Sequence, residues 1–238
     1  MTARPAAVAA APLLSCVSLA GCTLAHAISN ATHDIQHNKT IIDQFNNGLK
    51  SGEAVPFEAV YKTTGANPAT VRYAVRPPHD VLFSEQQAGG GSSQAYIVVN
   101  ATGAYSCTPP SAGPPSGQWT CQRLGTSGSI SSNAIVDFYT PTHWVNFLTA
   151  FSLAAGFAGD KLSTSDITVN GFAMHCVDFR AHGIKGISRI CTTRQNILGY
   201  VQVAQQPTSF EITSYSASPP DSLFQLPAGA KITKPASG

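Results

Sequence analysis

Apolar and polar positions follow two rhythms along the 238 residues. Between residues 31 and 50, Ile35, Ile41, Ile42, Phe45 and Leu49 form an apolar stripe at helical spacing. The stripe predicts a helix whose end is bracketed by Gly48 and Gly52. From Val55 the period becomes two. Phe57, Ala59 and Tyr61 alternate with Glu58, Val60 and Lys62, and Val71, Tyr73 and Val75 alternate with Arg72, Ala74 and Arg76. Gly65-Ala66-Asn67-Pro68 lies between these runs as a turn signal. Pro77-Pro78 interrupts the ladder, which resumes at Val81-Leu82-Phe83, and Gly89-Gly90-Gly91 turns the chain again. Ala95 to Val99 is apolar on both faces and runs into a tight turn at Asn100–Gly103. Residues 104–107 and 118–123 then flank a Pro- and Gly-rich loop. Short strands joined by such turns predict an antiparallel meander.

The helical rhythm returns at residues 141–157. Trp144, Val145, Phe147, Leu148, Phe151, Leu153, Ala154, Ala155 and Phe157 leave only a narrow polar seam of His143, Asn146, Thr149 and Ser152. Pro141 suits the first turn, with Thr140 as cap. A helix so apolar either packs as a plain core helix against a sheet or faces a greasy ligand. Strands follow: Phe172, Met174 and Cys176 alternate with Ala173, His175 and Val177, a turn spans 183–186, and further strands cover 187–193, 198–205 and 210–216. Leu223 to Ala228 then runs extended.

The N-terminus carries different information. One positive charge, Arg4, precedes a short apolar run that ends in Leu19-Ala20-Gly21-Cys22. Small residues before a cysteine form a lipobox. It predicts a signal peptide over 1–21, cleavage before Cys22 and acyl chains on Cys22. Two or more chains anchor a protein stably where one does not. The alternative is an ordinary secretory signal cut near Ala25-His26-Ala27. The expected product is a polar tether over 22–30, one domain over 31–232 and a tail over 233–238, held at the extracytoplasmic side of a bacterial membrane.

Composition narrows the partners. The formal net charge is +2, charged residues make up 11%, and no basic cluster occurs. Nucleic-acid binding therefore has no electrostatic footprint. Beyond Cys16 and Cys22, four cysteines remain, and an even number in an exported chain predicts two disulfides. Of three possible pairings, Cys107–Cys121 and Cys176–Cys191 each join the two arms of a predicted hairpin. Each closes a loop of about 15 residues, worth roughly 3 kcal/mol in the chain-entropy model.

Catalytic motifs are missing. Gly125-Thr126-Ser127-Gly128-Ser129 has its second glycine one place too early for a nucleophile elbow. His33 and His37 lie four apart, but neither a third ligand nor a general base accompanies them. The aspartates, among them Asp166 and Asp178, show no paired spacing, and His175 reads as a half-buried strand histidine. No metal, cofactor or catalytic residue is expected.

The order of elements resembles the bacterial lipoprotein-localisation-factor (Lol-type) superfamily and the related lipid-binding lipoproteins of actinobacteria. The resemblance rests on the lipobox, Phe57-Glu58-Ala59-Val60-Tyr61, Tyr105-Ser106-Cys107 with Trp119-Thr120-Cys121, and Val169-Asn170-Gly171 ahead of Cys176. The closing run Leu223-Phe224-Gln225-Leu226-Pro227-Ala228-Gly229-Ala230 adds to it. The resemblance implies an α+β fold: a strongly curved antiparallel sheet, an incomplete β-barrel, with helices covering its open face. The 141–157 helix would be the lid. Trp144, Leu148, Phe151 and Ala155 would point inward with Phe147 and Ala154 beside them, towards Tyr61, Tyr73, Val75, Val99, Val201 and Val203 of the sheet. The implied function is non-covalent binding or local transfer of a lipid or other apolar ligand, without catalysis. Two other classes stay open: an envelope interaction, scaffold or sensor module with a filled core and a protein partner, and an enzyme assembled from dispersed residues.

Overall fold

The computed structural model describes residues 17–65, 68–88, 94–110, 117–125, 143–144, 146–150, 162–180, 183, 185–207 and 209–234. One helix, α1 (Val17–Glu53), precedes twelve strands. These are β1 (Phe57–Thr63), β2 (Ala69–Arg76), β3 (Asp80–Gln87), β4 (Gln94–Asn100), β5 (Gly103–Thr108) and β6 (Thr120–Gly125), then β7 (Ser163–Val169), β8 (Phe172–Phe179), β9 (Ser188–Thr193), β10 (Leu198–Gln202), β11 (Ser209–Ser216) and β12 (Lys231–Thr233). A 3-10 turn covers Asp221–Phe224.

All twelve strands belong to one sheet in the order β12-β6-β5-β4-β3-β2-β1-β11-β10-β9-β8-β7. Every neighbour is antiparallel except β12, which runs parallel to β6. The expected α+β half-barrel with helices covering its open face is therefore corrected. The chain is mostly a large, open, mixed sheet, and helix is its minor component. The reason lies in the register. Each strand finds its neighbour edge to edge, and the sheet ends in two separate edges, β12 and β7, instead of closing on itself.

The period-two pattern sets which residues meet. Ala59, Tyr73, Phe83 and Ile97 lie opposite one another across β1–β4, as do Phe57, Val75, Val81 and Val99. This face belongs to the main buried cluster, which also holds Phe210, Val201, Ile190 and Val177 from the other half of the sheet. Helix α1 adds Ile41, Ile42, Phe45 and Leu49, the stripe read from the sequence. Residues 22–30, read as a tether, lie within the span of α1.

On the opposite face, Ala74, Leu82 and Val98 lie in register and bury Phe224 from the C-terminal segment. Tyr105, Cys107 and Cys121 continue that layer with Trp119 and Leu226 against them. Both disulfides are present as paired from the sequence. Cys107 lies directly across from Cys121, and Cys176 from Cys191. Pro77-Pro78, read as an interruption, is instead the turn of the β2–β3 hairpin and contains a cis peptide bond.

Gly52 is where α1 touches the β9–β10 loop. A Cβ there would come within 2.3 Å of the carbonyl oxygen of Asn196, so only glycine lets the backbones approach so closely. Asn196 also donates through Nδ2 to the Ser51 hydroxyl at 3.0 Å.

Candidate ligand-binding cleft

The fold brings together those predicted ligand residues that lie among the described ones. Tyr61, Tyr73, Val75, Val201, Trp144 and Leu148 all belong to the main buried cluster, and Val99 is buried in the same register row as Val75. Tyr61 stacks on Phe210 with ring centroids 4.4 Å apart, and its hydroxyl donates to the Leu198 carbonyl at 3.0 Å. The space bounded by Leu49, Glu53, Phe57, Tyr61, Tyr73, Ile197 and Leu198 is only about 10 Å³. That is less than an ordered water needs comfortably.

Two of the predicted residues depart from the expected inward position. Phe147 is 41% exposed and makes edge contacts with Trp144 and Phe179. Val203 is 46% exposed, because β10 ends at Gln202 and Val203 has already left the ladder. Residues 143–144 and 146–150 are helical, while Phe151, Ala154 and Ala155 lie outside the described residues, as do Ser127 and Ser129.

A cavity of about 580 Å³ opens elsewhere, between α1 and the β7–β9 end of the sheet. Its roof is Ile41, Gln44, Phe45 and Gly48 of α1. Its floor is built by register: Thr164 faces Val177, Asp166 faces His175, Thr168 faces Ala173, and His175 faces Thr192. These pairs place Thr164, Asp166 and Thr168 of β7 on the same side as Ala173, His175 and Val177 of β8. Arg194 and Asn196 close the far wall. The cleft is thus apolar where α1 meets β8 and polar along β7.

Asn38 anchors the roof to the floor. It is fully buried on α1, and its Oδ1 accepts from the backbone N–H of Leu162, one residue before β7. Asp166 Oδ1 and His175 Nδ1 are 2.9 Å apart at the mouth, with both side chains largely exposed. Asp178 serves the opposite side of the sheet beside Arg189, 3.3 Å away. Among the described residues no group of three or more His, Cys, Asp or Glu is placed to hold a metal ion. No helix among them is long and apolar enough to cross a membrane.

Sequence reading missed three parts of this region. Strand β7 alternates apolar residues only at its end, Ile167 and Val169, although Asn170-Gly171 after it is a strong hairpin signal. Both turn residues adopt positive φ, 51° and 82°, as such a turn requires. The pairing of Asp166 with His175 depends on that hairpin. Glu53, at the end of α1, lies against Tyr61 and Tyr73, and burial pushes its carboxyl up to about 8. Burial, reinforced by Glu53, raises both tyrosines as well.

No protein-family model matches the chain, and no curated protein matches it. Among solved structures, an uncharacterized conserved protein from Thermus thermophilus is similar at 8% identity and TM-score 0.45, covering 81% of this chain and 98% of that one. MucB is similar at 12% identity and TM-score 0.47, covering 80% of this chain and 64% of its own. PNGF-II is similar at 10% identity and TM-score 0.33, covering 75% and 30%. None of these three descriptions names a lipoprotein-localisation factor, and likenesses at these scores carry no argument about this chain.

Proposed function

We propose that the chain is a cell-envelope lipoprotein, tethered through Cys22 at the extracytoplasmic face of a membrane. In this reading it holds an apolar ligand, such as a lipid, non-covalently and makes or breaks no bonds. The observation that supports the reading is the cleft between α1 and β7–β9. Its volume of about 580 Å³ falls within the roughly 300–1,000 Å³ of small-molecule sites. Ile41, Phe45, Met174 and Val177 give it an apolar side, against which each buried CH₂ contributes about 0.8 kcal/mol. This cleft lies apart from Tyr61 and Tyr73, beside which the described residues leave a space of about 10 Å³.

The close packing of Tyr61 on Phe210 supports a second reading, an interaction or sensor module that uses its surface. Native mass spectrometry of the Cys22→Ser chain, exported under oxidising conditions and offered a lipid extract, separates the two. A lipid mass lost on mild denaturation is the result expected of the binding reading. A clean apo mass, with no uptake, sinks it and moves the weight to the interaction module. Radiolabelled palmitate tests the anchor: incorporation into the wild type and none into Cys22→Ala is expected.

A further inference from the structure

The cleft is bordered by β7, a strand at the edge of the sheet. β7 is the last strand of the sheet; β8 pairs with it from Ser163 to Val169, and among the described residues no strand pairs with its other side. Exposed edges are usually blunted by lysine, proline, a bulge or short length. β7 has no lysine, proline or bulge, and its one edge charge is Asp166: it reads Ser-Thr-Ser-Asp-Ile-Thr-Val, keeps an unbroken register with β8, and at seven residues spans about 23 Å. The opposite edge, β12, has three residues.

We propose that β7 is a strand-addition site for an extended polypeptide. The incoming segment pairs with the free edge and places alternate side chains under α1, beside Ile41 and Phe45. This rests on the reading of the cleft as a binding site and changes the ligand class from lipid to polypeptide. Charge selects the occupant. Asp166 is the midpoint of β7 and its only charged residue, and its side chain is 85% exposed. A residue directly opposite on the added strand comes within about 5.5 Å of it. Lysine or arginine there complements Asp166. A second copy of this chain, paired antiparallel about the same midpoint, would set two Asp166 carboxylates against each other, which is destabilising.

The test uses the full exported Cys22→Ser chain with both disulfides formed. Two probes are alternating valine–threonine nonapeptides, one with lysine and one with glutamate at the centre; the third is phosphatidylglycerol vesicles. Fluorescence anisotropy is expected to show the lysine peptide binding about fivefold tighter than the glutamate peptide. Asp166→Asn should bring the ratio near one, and Asp166→Lys should reverse it. Both substitutions fall on an exposed side chain, so the fold is retained. Hydrogen exchange of the β7 amides should slow by about tenfold with bound lysine peptide, while β12 is unchanged. Absence of peptide binding, binding without protection of β7, or a preference that survives Asp166→Lys overturns the proposal. If vesicles protect α1 and β8 while peptides do nothing, strand addition fails and the apolar-ligand reading stands. If neither probe protects the cleft, both fail.

Discussion

The side-chain oxygen of Asn38 accepts the backbone N–H of Leu162 at 2.9 Å, across 124 residues of sequence, with both residues buried. This contact ties α1 to the start of β7 and so fixes the width of the cleft. Asn38→Ala removes the acceptor and leaves a buried N–H unsatisfied, a cost of about 1–3 kcal/mol. Urea denaturation is expected to show the loss, and hydrogen exchange should show α1 and β7 opening more readily. A variant with unchanged stability would mean that the contact is not formed in solution.

Glu53 makes stability depend on pH. Its carboxyl is pushed up to about 8 by burial, against an ordinary value of 4.5. Folding therefore favours the protonated form, and the folded state binds the extra proton between these two values. The contribution to stability is fully present below about pH 4.5 and is lost as pH rises through about 8. Glu53→Gln should flatten the melting temperature across that window and stabilise the protein at pH 8 by on the order of 1–3 kcal/mol. A parallel pH profile in wild type and variant would refute the buried carboxyl.

Phe224 holds the C-terminal segment to the outer face of the sheet. It is buried against Ala74, Leu82 and Val98, and its carbonyl accepts from Asn100 Nδ2 at 2.9 Å. Arg76 covers the ring at 4.7 Å from its centroid and pairs with Asp80 and Asp221. Phe224→Ala is expected to cost about 3–5 kcal/mol as a core truncation. Arg76→Ala, at the exposed side, should cost less. Thermal melts rank the two, and equal losses would place the binding energy in the guanidinium.

The disulfides make a covalent prediction. Alkylation of the unfolded, unreduced mature chain should modify none of the four cysteines Cys107, Cys121, Cys176 and Cys191. Replacing either pair by serine should lower stability by up to about 3 kcal/mol in the chain-entropy model. Partial digestion with mass spectrometry checks the pairing, and a Cys107–Cys176 peptide would contradict it.

Gly52→Ala is a local test of the α1 contact. The added methyl would meet the backbone carbonyl of Asn196, which cannot move aside as a side chain can. A loss of roughly 1–3 kcal/mol, the range for overpacking, is expected in denaturant titrations. Ser51→Ala, which loses two exposed hydrogen bonds, one from Asn196 and one to the Gly48 carbonyl, should cost about 1 kcal/mol or less.

The sequence by itself determined the local elements that carry a hydrophobic rhythm. The Ile41–Leu49 stripe, the alternation in β1, β2 and β8, and both cysteine pairs were legible because each is a relation between near neighbours in the chain. What only the tertiary structure decided is how those elements close. The same alternation serves a curled half-barrel and an open sheet, because side-chain period says which face is buried and not whether the last strand meets the first. The cleft was illegible for a related reason. β7 turns Thr164, Asp166 and Thr168 towards the cleft and keeps apolar residues only at Ile167 and Val169 of its other face, so the alternation that reveals a strand is too short to read.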